Sequence, residues 1–490
     1  MNQKQYIIMD HPYQEEGFHY LKLSCGQILS YHEQLKLLCH MDEQECADYC
    51  LLGYAFCCNE MGMEAFDALK GVNEREQVIR VINNWSGRWL LIWHDEIFMD
   101  TCGLLGCYYT ESGILSSGIH CVNTVLGRKD KDIRIRHKFG LDFYPGPNTG
   151  YADIRRLMPS QTYQIPQKKL GKRGLFQNIP EFADEKERIE IFVSEFAILL
   201  HNMYKFYDGK ITLALTAGYD SRMVMALLEY AGVPYATFTM DHSNISREDV
   251  EIPSQLAALT NCEYEFIPRS GKASRKRYKE FDRHCAYMAV DEDRNFYAYG
   301  QFDRPEKTAV IRSGIFECAG AAKVFKNFEK WDLKQYKKRF VNLRHRKDMS
   351  DSLNNWIAYM KEDEQSVQYV DRFYWEQRCG CWLSGVEQSL TVIENVDSFQ
   401  IGNCSRLLSI LMGFPSEERG TKEHQYKIIQ KACPQLVSVP FGGGKGHPYH
   451  SVQEVKYKKD MRYIYYCITC LDGKGKWKEA ARGVKRLIKK

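Results

Sequence analysis

The sequence predicts an α/β protein in which a β-rich part precedes an open parallel sheet flanked by helices. Three observations carry this. Ile211-Thr212-Leu213-Ala214-Leu215 is a short apolar run rich in β-formers; Thr216-Ala217-Gly218 then makes a turn of small residues, and Met223, Ala226, Leu227 and Tyr230 follow at helix spacing until Gly232 and Pro234 stop them. Between residues 235 and 312 further strand-like runs alternate with helical stretches, the spacing of a parallel sheet. Upstream, residues 85–118 read as a β-meander punctuated by glycines.

A chain of 490 residues is too long for one ordinary domain and can bury ample apolar surface. Its net charge of +4 gives no argument for nucleic acid as a general partner. The 18 cysteines are scattered without a repeated spacing, which argues against a disulfide framework, and Cys467-x-x-Cys470 reads as core thiols. No charged-then-apolar leader opens the chain. No apolar run approaches the roughly 20 residues of a membrane span. The expectation is a soluble, cytoplasmic protein.

Taken in order, residues 1–75 mix short strand-like pieces with a helical stretch over 42–51. Residues 85–95 are a strand of aromatic and aliphatic residues. Residues 167–174 are basic and contain glycine, which places a domain boundary nearby. Residues 184–201 form an amphipathic helix leading into the strand at Ile211. Residues 235–240, 263–267 and 308–312 are the next strands, and Ser246 is an N-cap for a helix with Ile252, Leu256 and Leu259 on one face. Residues 372–411 read as mostly helical, and the basic run 474–490 as a helical tail. A strand, small turn and helix N-terminus such as 211–222 make an anion site, because backbone N–H groups point outward and the helix dipole favours negative charge.

Thr216-Ala217-Gly218-Tyr219-Asp220-Ser221 resembles the S-G-G-x-D-S loop of the N-type ATP pyrophosphatases, the superfamily of asparagine and argininosuccinate synthases. That resemblance implies ATP and Mg2+ as cofactors. Leu215, Thr216, Ala217, Gly218, Tyr219, Asp220, Ser221 and Thr239 are the implied nucleotide contacts, with Asp220 meeting the metal. Upstream, Asp100, Gly103, Gly106, Tyr108 and Tyr109 keep the frame of the end of an asparagine synthetase glutaminase domain. Residues 153–160 are similar to the I-R-R-L-P-P-G segment that precedes the synthetase domain. Ser313 and Gly314 match the S-G-E-G-x-D-E segment, which lies beside AMP in the family. Glu317 is then the acid that replaces the D-E pair at magnesium, or else a loop carboxylate without a ligand. Ile315 stands where asparagine synthetases carry glutamate and β-lactam synthetases tyrosine. Residues 392–399 are similar to G-V-E-A-R-V-P-F; Glu394 is a general base for the attacking amine, or a structural carboxylate bonded to Arg378 or to backbone N–H groups. Lys445, in a Gly-rich loop, matches a lysine that faces the phosphates, or is an exposed loop residue.

The resemblance implies a fold of two parts: a degenerate glutamine amidotransferase-like αββα domain over residues 1–170, and a parallel-sheet, adenine-nucleotide α-hydrolase-like (PP-loop) synthetase domain with a helical C-terminal part over 180–490. It implies an AMP-forming carbon–nitrogen ligase that activates a carboxylate as an acyl-adenylate. Family glutaminases use a cysteine at position 2, and here that residue is Asn2, while Cys25 and Cys39 are internal. A thiolate without a base is a poor catalyst. The first domain is therefore expected to be a scaffold, with the amine supplied as ammonia or by a second substrate. Small-molecule, peptide or sugar carboxylates are the expected partners, with no nucleic acid and no membrane span. Rival expectations are a non-catalytic nucleotide-binding protein and a transfer-RNA-modifying relative; a glutaminase-like first part and the lack of a strongly basic face argue against the latter. The oligomeric state and the identity of acid and amine lie beyond the sequence.

Overall fold

The computed structural model describes residues 4–488 apart from 132–139, 177–178, 243–244, 269–271, 287, 289–292, 302, 305, 321–331, 364–366, 368, 443–460, 462, 466, 469–470, 472 and 474. In the first part, strands β1 (Tyr6–Met9), β2 (Phe18–Lys22), β3 (Ile28–His32), β4 (Leu37–Met41), β5 (Ala47–Cys57), β6 (Trp85–Trp93), β7 (Glu96–Met99), β8 (Tyr108–Thr110), β9 (Leu115–Ser116), β10 (Ile154–Arg156), β11 (Gln161–Gln164) and β12 (Lys169–Lys172) form two antiparallel sheets. Their orders are β10-β8-β9-β1-β3-β2 and β12-β11-β7-β6-β5-β4. The sheets stack face to face: Tyr6, Ile8 and Leu29 of one share a core with Leu52, Leu90, Ile92 and Ile97 of the other. Helix α1 (Arg75–Ile82) covers the outer face of the second sheet, with Val78 and Ile82 against Trp85, Trp89, Leu91 and Phe98. Helix α2 (Ile119–Val125) covers the outer face of the first, with Cys121 against Ile7 and Met9. These are the αββα layers. Because β6 is buried on both faces, its sequence is a continuous apolar run rather than an alternation.

One local expectation is corrected here. Residues 42–51 are a turn and the start of β5, not a helix. Asp42 Oδ1 accepts from the N–H groups of Gln44 (2.8 Å) and Cys46 (2.9 Å), an Asx-type turn, and β5 then pairs with both β4 and β6. The basic segment 167–174 contains β12. Lys169–Lys172 pair with β11 as an edge strand, where lysines discourage further pairing, and the chain leaves it through Arg173, which is buried.

The second part opens with helix α3 (Glu185–Phe206), N-capped by Asp184, whose side chain accepts from Glu187 N. Then come β13 (Ile211–Ala214), helix α4 (Tyr219–Ala231), β14 (Ala236–Met240), helix α5 (Arg247–Thr260), β15 (Glu263–Ile267), helices α6 (Arg275–His284) and α7 (Asp293–Tyr299), β16 (Thr308–Arg312), the short helix α8 (Glu317–Gly320) and, much later, β17 (Val396–Gln400). The five strands form one parallel sheet, ordered β15-β14-β13-β16-β17, with β13 at its centre. One face, through Leu213, Ile311 and Phe399, packs on Phe192 and Leu199 of α3 and Met223 and Leu227 of α4. The other, through Phe238, Val310 and Val396, packs on Phe281, Tyr297, Val386 and Leu390. Both faces of a parallel sheet must be covered, and here they are.

The stretch 372–411 is mostly helical, with one unforeseen strand inside it. It begins with a π-helix (Phe373–Leu383) and a helix (Ser384–Leu390), but then Asn395 takes a left-handed φ of 60° and β17 forms before the next helix, Ser405–Met412. No helix among the described residues is long and apolar enough to cross a membrane.

Buried polar contacts join the two parts. Lys4 Nζ donates to the carbonyl of Val396 (2.9 Å) and to Asp397 Oδ1 (3.1 Å), whose other oxygen accepts from Tyr207 OH (2.9 Å). Asn403 donates to Asp100 Oδ1 (2.8 Å), and Ser86 Oγ to the carbonyl of Ile401 (2.6 Å). Burial opposes the Asp397 charge, but Lys4 and Lys307 outweigh it and hold the carboxyl below the usual range.

Candidate functional site

The loop 215–218 lies at the carboxyl end of the central strand β13 and feeds directly into α4. Open parallel sheets bind ligands at that end. The loop is fixed by its own hydroxyls: Ser221 Oγ accepts from Thr216 N (3.0 Å) and lies 3.0 Å from Thr216 Oγ1. The Ala217 N–H donates to Asp249 Oδ1 (3.0 Å), and Thr239 Oγ1 donates to the carbonyl of Leu215 (2.8 Å). Asp249 is held in turn by the N-cap of α5, Ser246, whose Oγ donates to Asp249 Oδ2 at 2.8 Å. No side chain caps α4, whose N-cap residue is Gly218, so its first N–H groups are left to face an anion.

The C-terminal part of the chain comes back over this loop. Arg222, buried in α4, donates to the carbonyls of Val439 (2.6 Å) and Pro440 (2.8 Å) and lies under the Phe441 ring, with its carbon 3.9 Å from the ring centre. Tyr219 stacks on the same ring at 4.1 Å, and the Gly442 N–H donates to the carbonyl of Ala217 (3.0 Å). Burial lowers the Arg222 pKa to about 10. Gly442 packs so closely that a Cβ there would come within 2.5 Å of Ala217 Cβ.

Five charged side chains gather at the mouth. Asp220 Oδ1 accepts from Lys422 Nζ (3.0 Å) and Gln425 Nε2 (2.7 Å). Glu317, at the start of α8, lies 3.6 Å from Arg378 Nε, and Arg378 is clamped by both oxygens of Asp142 at 2.8 Å each. Desolvation pushes the Glu317 carboxyl up, while Arg378 pulls the other way. Asp220 and Lys422 both act on Glu317, so the two carboxylates share one electrostatic neighbourhood. Burial opposes the Arg378 charge, yet Asp142 and Glu317 leave its pKa raised.

Ser313 and Gly314 sit on the turn out of β16. The following N–H, of Ile315, donates to Gln400 Oε1 (3.2 Å), and Gln400 donates to the buried Glu387 (2.9 Å). Beside the loop lies a cavity of about 220 Å³, lined by Leu215, Thr216, Thr239, Asp249, Arg312 and Ser398 among others. The buried Ser398 Oγ has no hydrogen-bond partner among the described residues. A roomier groove of about 700 Å³ lies at the opposite end of the strands, around Lys210, Pro234 and Asn261. It lacks the loop and the uncapped helix, and it is at the amino end of the sheet, so the carboxyl-end site is preferred.

Leu215 to Ser221, Thr239, Ser313, Gly314 and Glu317 thus all lie at or just beyond the carboxyl ends of β13, β14 and β16. Glu394 does not join them: it is exposed, in the turn before β17, at the amino end of that strand. Arg378, considered as its partner, pairs with Asp142 and Glu317 instead. Lys445 and Asn2 fall outside the described residues. Lys422, Gln425, Asp142 and Asp249 escaped the sequence reading as site residues, and Arg378 entered it only as a partner for Glu394. Asp249 had a signal, since Ser246-x-x-Asp249 is a capping pattern, but nothing local marks the others.

The donor set fits the anionic tail of a nucleotide: an uncapped helix start, Lys422 and Arg378 supply positive charge, and two carboxylates, Asp220 and Glu317, share the same electrostatic neighbourhood. One Asp220 oxygen already carries Lys422 and Gln425, so a metal there has to share Asp220 with them.

No protein-family model and no curated protein matches the chain. Among solved structures, NMN synthetase from Francisella tularensis is similar at 12% identity, over 54% of this chain and 100% of that one, with a TM-score of 0.21. Glutamine-dependent NAD+ synthetase from Acinetobacter baumannii, in complex with ADP, is similar at 10% identity over 60% of this chain, with a TM-score of 0.21; the match spans 52% of that protein. Likenesses this faint carry no weight beside the chain's own residues.

Proposed function

We propose that the chain is an ATP-dependent, amide-forming ligase of the asparagine synthase-like type, which activates a carboxylate as an acyl-adenylate and releases pyrophosphate. The observation that carries this is the uncapped start of α4 after Thr216-Ala217-Gly218, with Asp220, Lys422, Glu317 and Arg378 around one mouth. A carboxylate is a poor electrophile, and adenylation turns its oxygen into a leaving group. The protein has to neutralise the departing pyrophosphate and align the acid with the α-phosphorus. In this reading the N–H groups of Gly218 to Ser221 hold phosphate oxygens, and Ser313 and Gly314 face the adenylate. Asp220 and Glu317 hold Mg2+, which supplies charge neutralisation when bound. Lys445 serves the chemical step. The exposed position of Glu394 leaves it without a described contact to this mouth. The amine is ammonia or a group on a second substrate, and a role in surface-polysaccharide or modified-peptide synthesis in the cytoplasm fits such chemistry.

Incubation with ATP, Mg2+ and candidate acids tests this directly. AMP and pyrophosphate are the expected products, and Asp220→Ala abolishes their formation; ADP as the main product overturns the proposal. A second reading, nucleotide binding without turnover, is favoured by one observation, the occupation of Asp220 by Lys422 and Gln425. It predicts ATP binding that does not depend on Mg2+ and no product with any acid.

A further inference from the structure

Three cysteines from three separate elements meet in the core between the two parts of the chain. Cys102 lies in the loop after β7, Cys318 in α8 and Cys379 in the π-helix. Their sulfurs all lie within 4.8 Å of one another, and those of Cys318 and Cys379 are 3.2 Å apart. Each residue is at most 1% exposed. An ion bonded to three thiolates at about 2.3 Å each sets the sulfurs roughly 4 Å apart. One cation therefore spans all three after small side-chain adjustments. The Cys102 backbone is held from both parts of the chain, its N–H donating to Asp100 Oδ1 (3.2 Å) and Asn403 Oδ1 (3.1 Å).

A second observation concerns charge. Arg173 is 1% exposed and donates from Nη1 to the carbonyls of Met99 and Asp100. Its Nε and Nη2 have no hydrogen-bond partner among the described residues, and Asp100 and the Cys102 sulfur are the leading acidic groups that act on it. Asp100 already accepts from four backbone N–H groups and from Asn403. A buried cation without a full counter-charge is costly. A negatively charged metal–thiolate group beside Cys102 offsets it, and Arg378, next to Cys379, balances the negative charge of that group from the other side.

We propose that Cys102, Cys318 and Cys379 form a three-thiolate site for a thiophilic d10 cation, Zn2+ or Cu+. Such soft ligands select these ions over Mg2+ or Ca2+. On binding, three S–H bonds break, three metal–sulfur bonds form and three protons leave; no electrons move. The group carries one net negative charge with Zn2+ and two with Cu+. The ion clips the first part of the chain, through Cys102, to the second. It also fixes the backbone beside Glu317 and Arg378, which immediately precede Cys318 and Cys379.

The full, untagged chain is purified without chelators and its metal content measured. Zn2+ and Cu+ are then each titrated against a competing chromophoric chelator, and Cd2+ is added to report thiolate ligation by its ultraviolet charge-transfer band. One equivalent of Zn2+ or Cu+, with a Cd2+ band of three-thiolate intensity and proton release on binding, is the expected result; the tighter of the two titrations identifies the cation. Cys102→Ser and Cys379→Ser lose the site, and Cys58→Ser, in the separate Cys58–Cys404 contact (3.8 Å), keeps it. The wild-type measurements stand even if a variant fails to fold. Absence of stoichiometric binding by the wild type, binding retained in the Cys102→Ser, Cys379→Ser double variant, or a Cys318–Cys379 disulfide in freshly purified protein overturns the proposal.

Discussion

The αββα sandwich and the carboxyl edge of the parallel sheet use the same chemical groups in opposite ways. In the sandwich, polar side chains such as Lys4, Gln5, Asp100 and Arg156 are buried and turned toward the second part. Arg156 donates to the carbonyl of Gly380 (2.6 Å), and Gln5 to Thr391 Oγ1 (3.2 Å). At the sheet edge Asp220, Lys422, Glu317 and Arg378 form comparable pairs but remain half-buried and open to solvent. A buried pair is closed to ligands, and its value is docking. A half-buried pair is loosely held, and an incoming anion or cation can replace either partner. Burial, not residue type, separates scaffold from candidate site.

The largest effect that sharpens this contrast is expected at Asp397, the docking carboxylate. Asp397→Ala leaves Lys4 buried without its counter-charge, and the expected loss is about 3–5 kcal/mol, read from denaturant unfolding. Because its folded pKa is depressed, the carboxylate contributes its stability above the unfolded value, near 4, and loses it as pH falls through the lower folded value. The gap between wild type and Asp397→Asn therefore narrows below about pH 4. A constant gap across that range would mean that the lost packing, not the charge, sets the cost.

For the proposed chemistry, a comparable change is expected in function and not in folding. A lysine aimed at developing charge contributes on the order of 3 kcal/mol, about a hundredfold in rate. Lys445→Met should lower turnover by that much while changing ATP affinity little; equal losses in both would make Lys445 a ground-state binder. A smaller effect is expected at Ser246. Ser246→Ala removes the α5 cap, at a cost of about 1 kcal/mol in stability, and loosens Asp249 on the Ala217 N–H. Nucleotide binding should weaken together with stability, and unchanged binding would show that Asp249 holds the loop unaided.

The smallest expected effect is none. Cys25 sits in the turn between β2 and β3, where burial pushes its thiol up and away from the thiolate form. Purified protein incubated with glutamine, with and without ATP, should release no glutamate, and Cys25→Ala should behave identically. Sustained glutamate release that Cys25→Ala removes would restore a glutaminase role to the sandwich and erase the contrast between the two regions.

What is local was readable from residue order alone. The run from Ile211 to Ala231 announced strand, turn and helix because apolar period, small turn residues and the Gly232 stop all act within a few residues. Glu263–Ile267 and Thr308–Arg312 were legible for the same reason. The local signal misled at residues 42–51 and did not show the strand inside 372–411, where pairing with distant strands decides: β5 is fixed by β4 and β6, and β17 by β16. Only the tertiary structure brought Lys422 and Gln425 onto Asp220, set Asp142 of the first part against Arg378 of the second, moved Glu394 to the far end of its strand, and gathered Cys102, Cys318 and Cys379. Those residues lie tens to hundreds of positions apart. Their meeting depends on how whole layers pack, and neither period nor propensity carries information over that range.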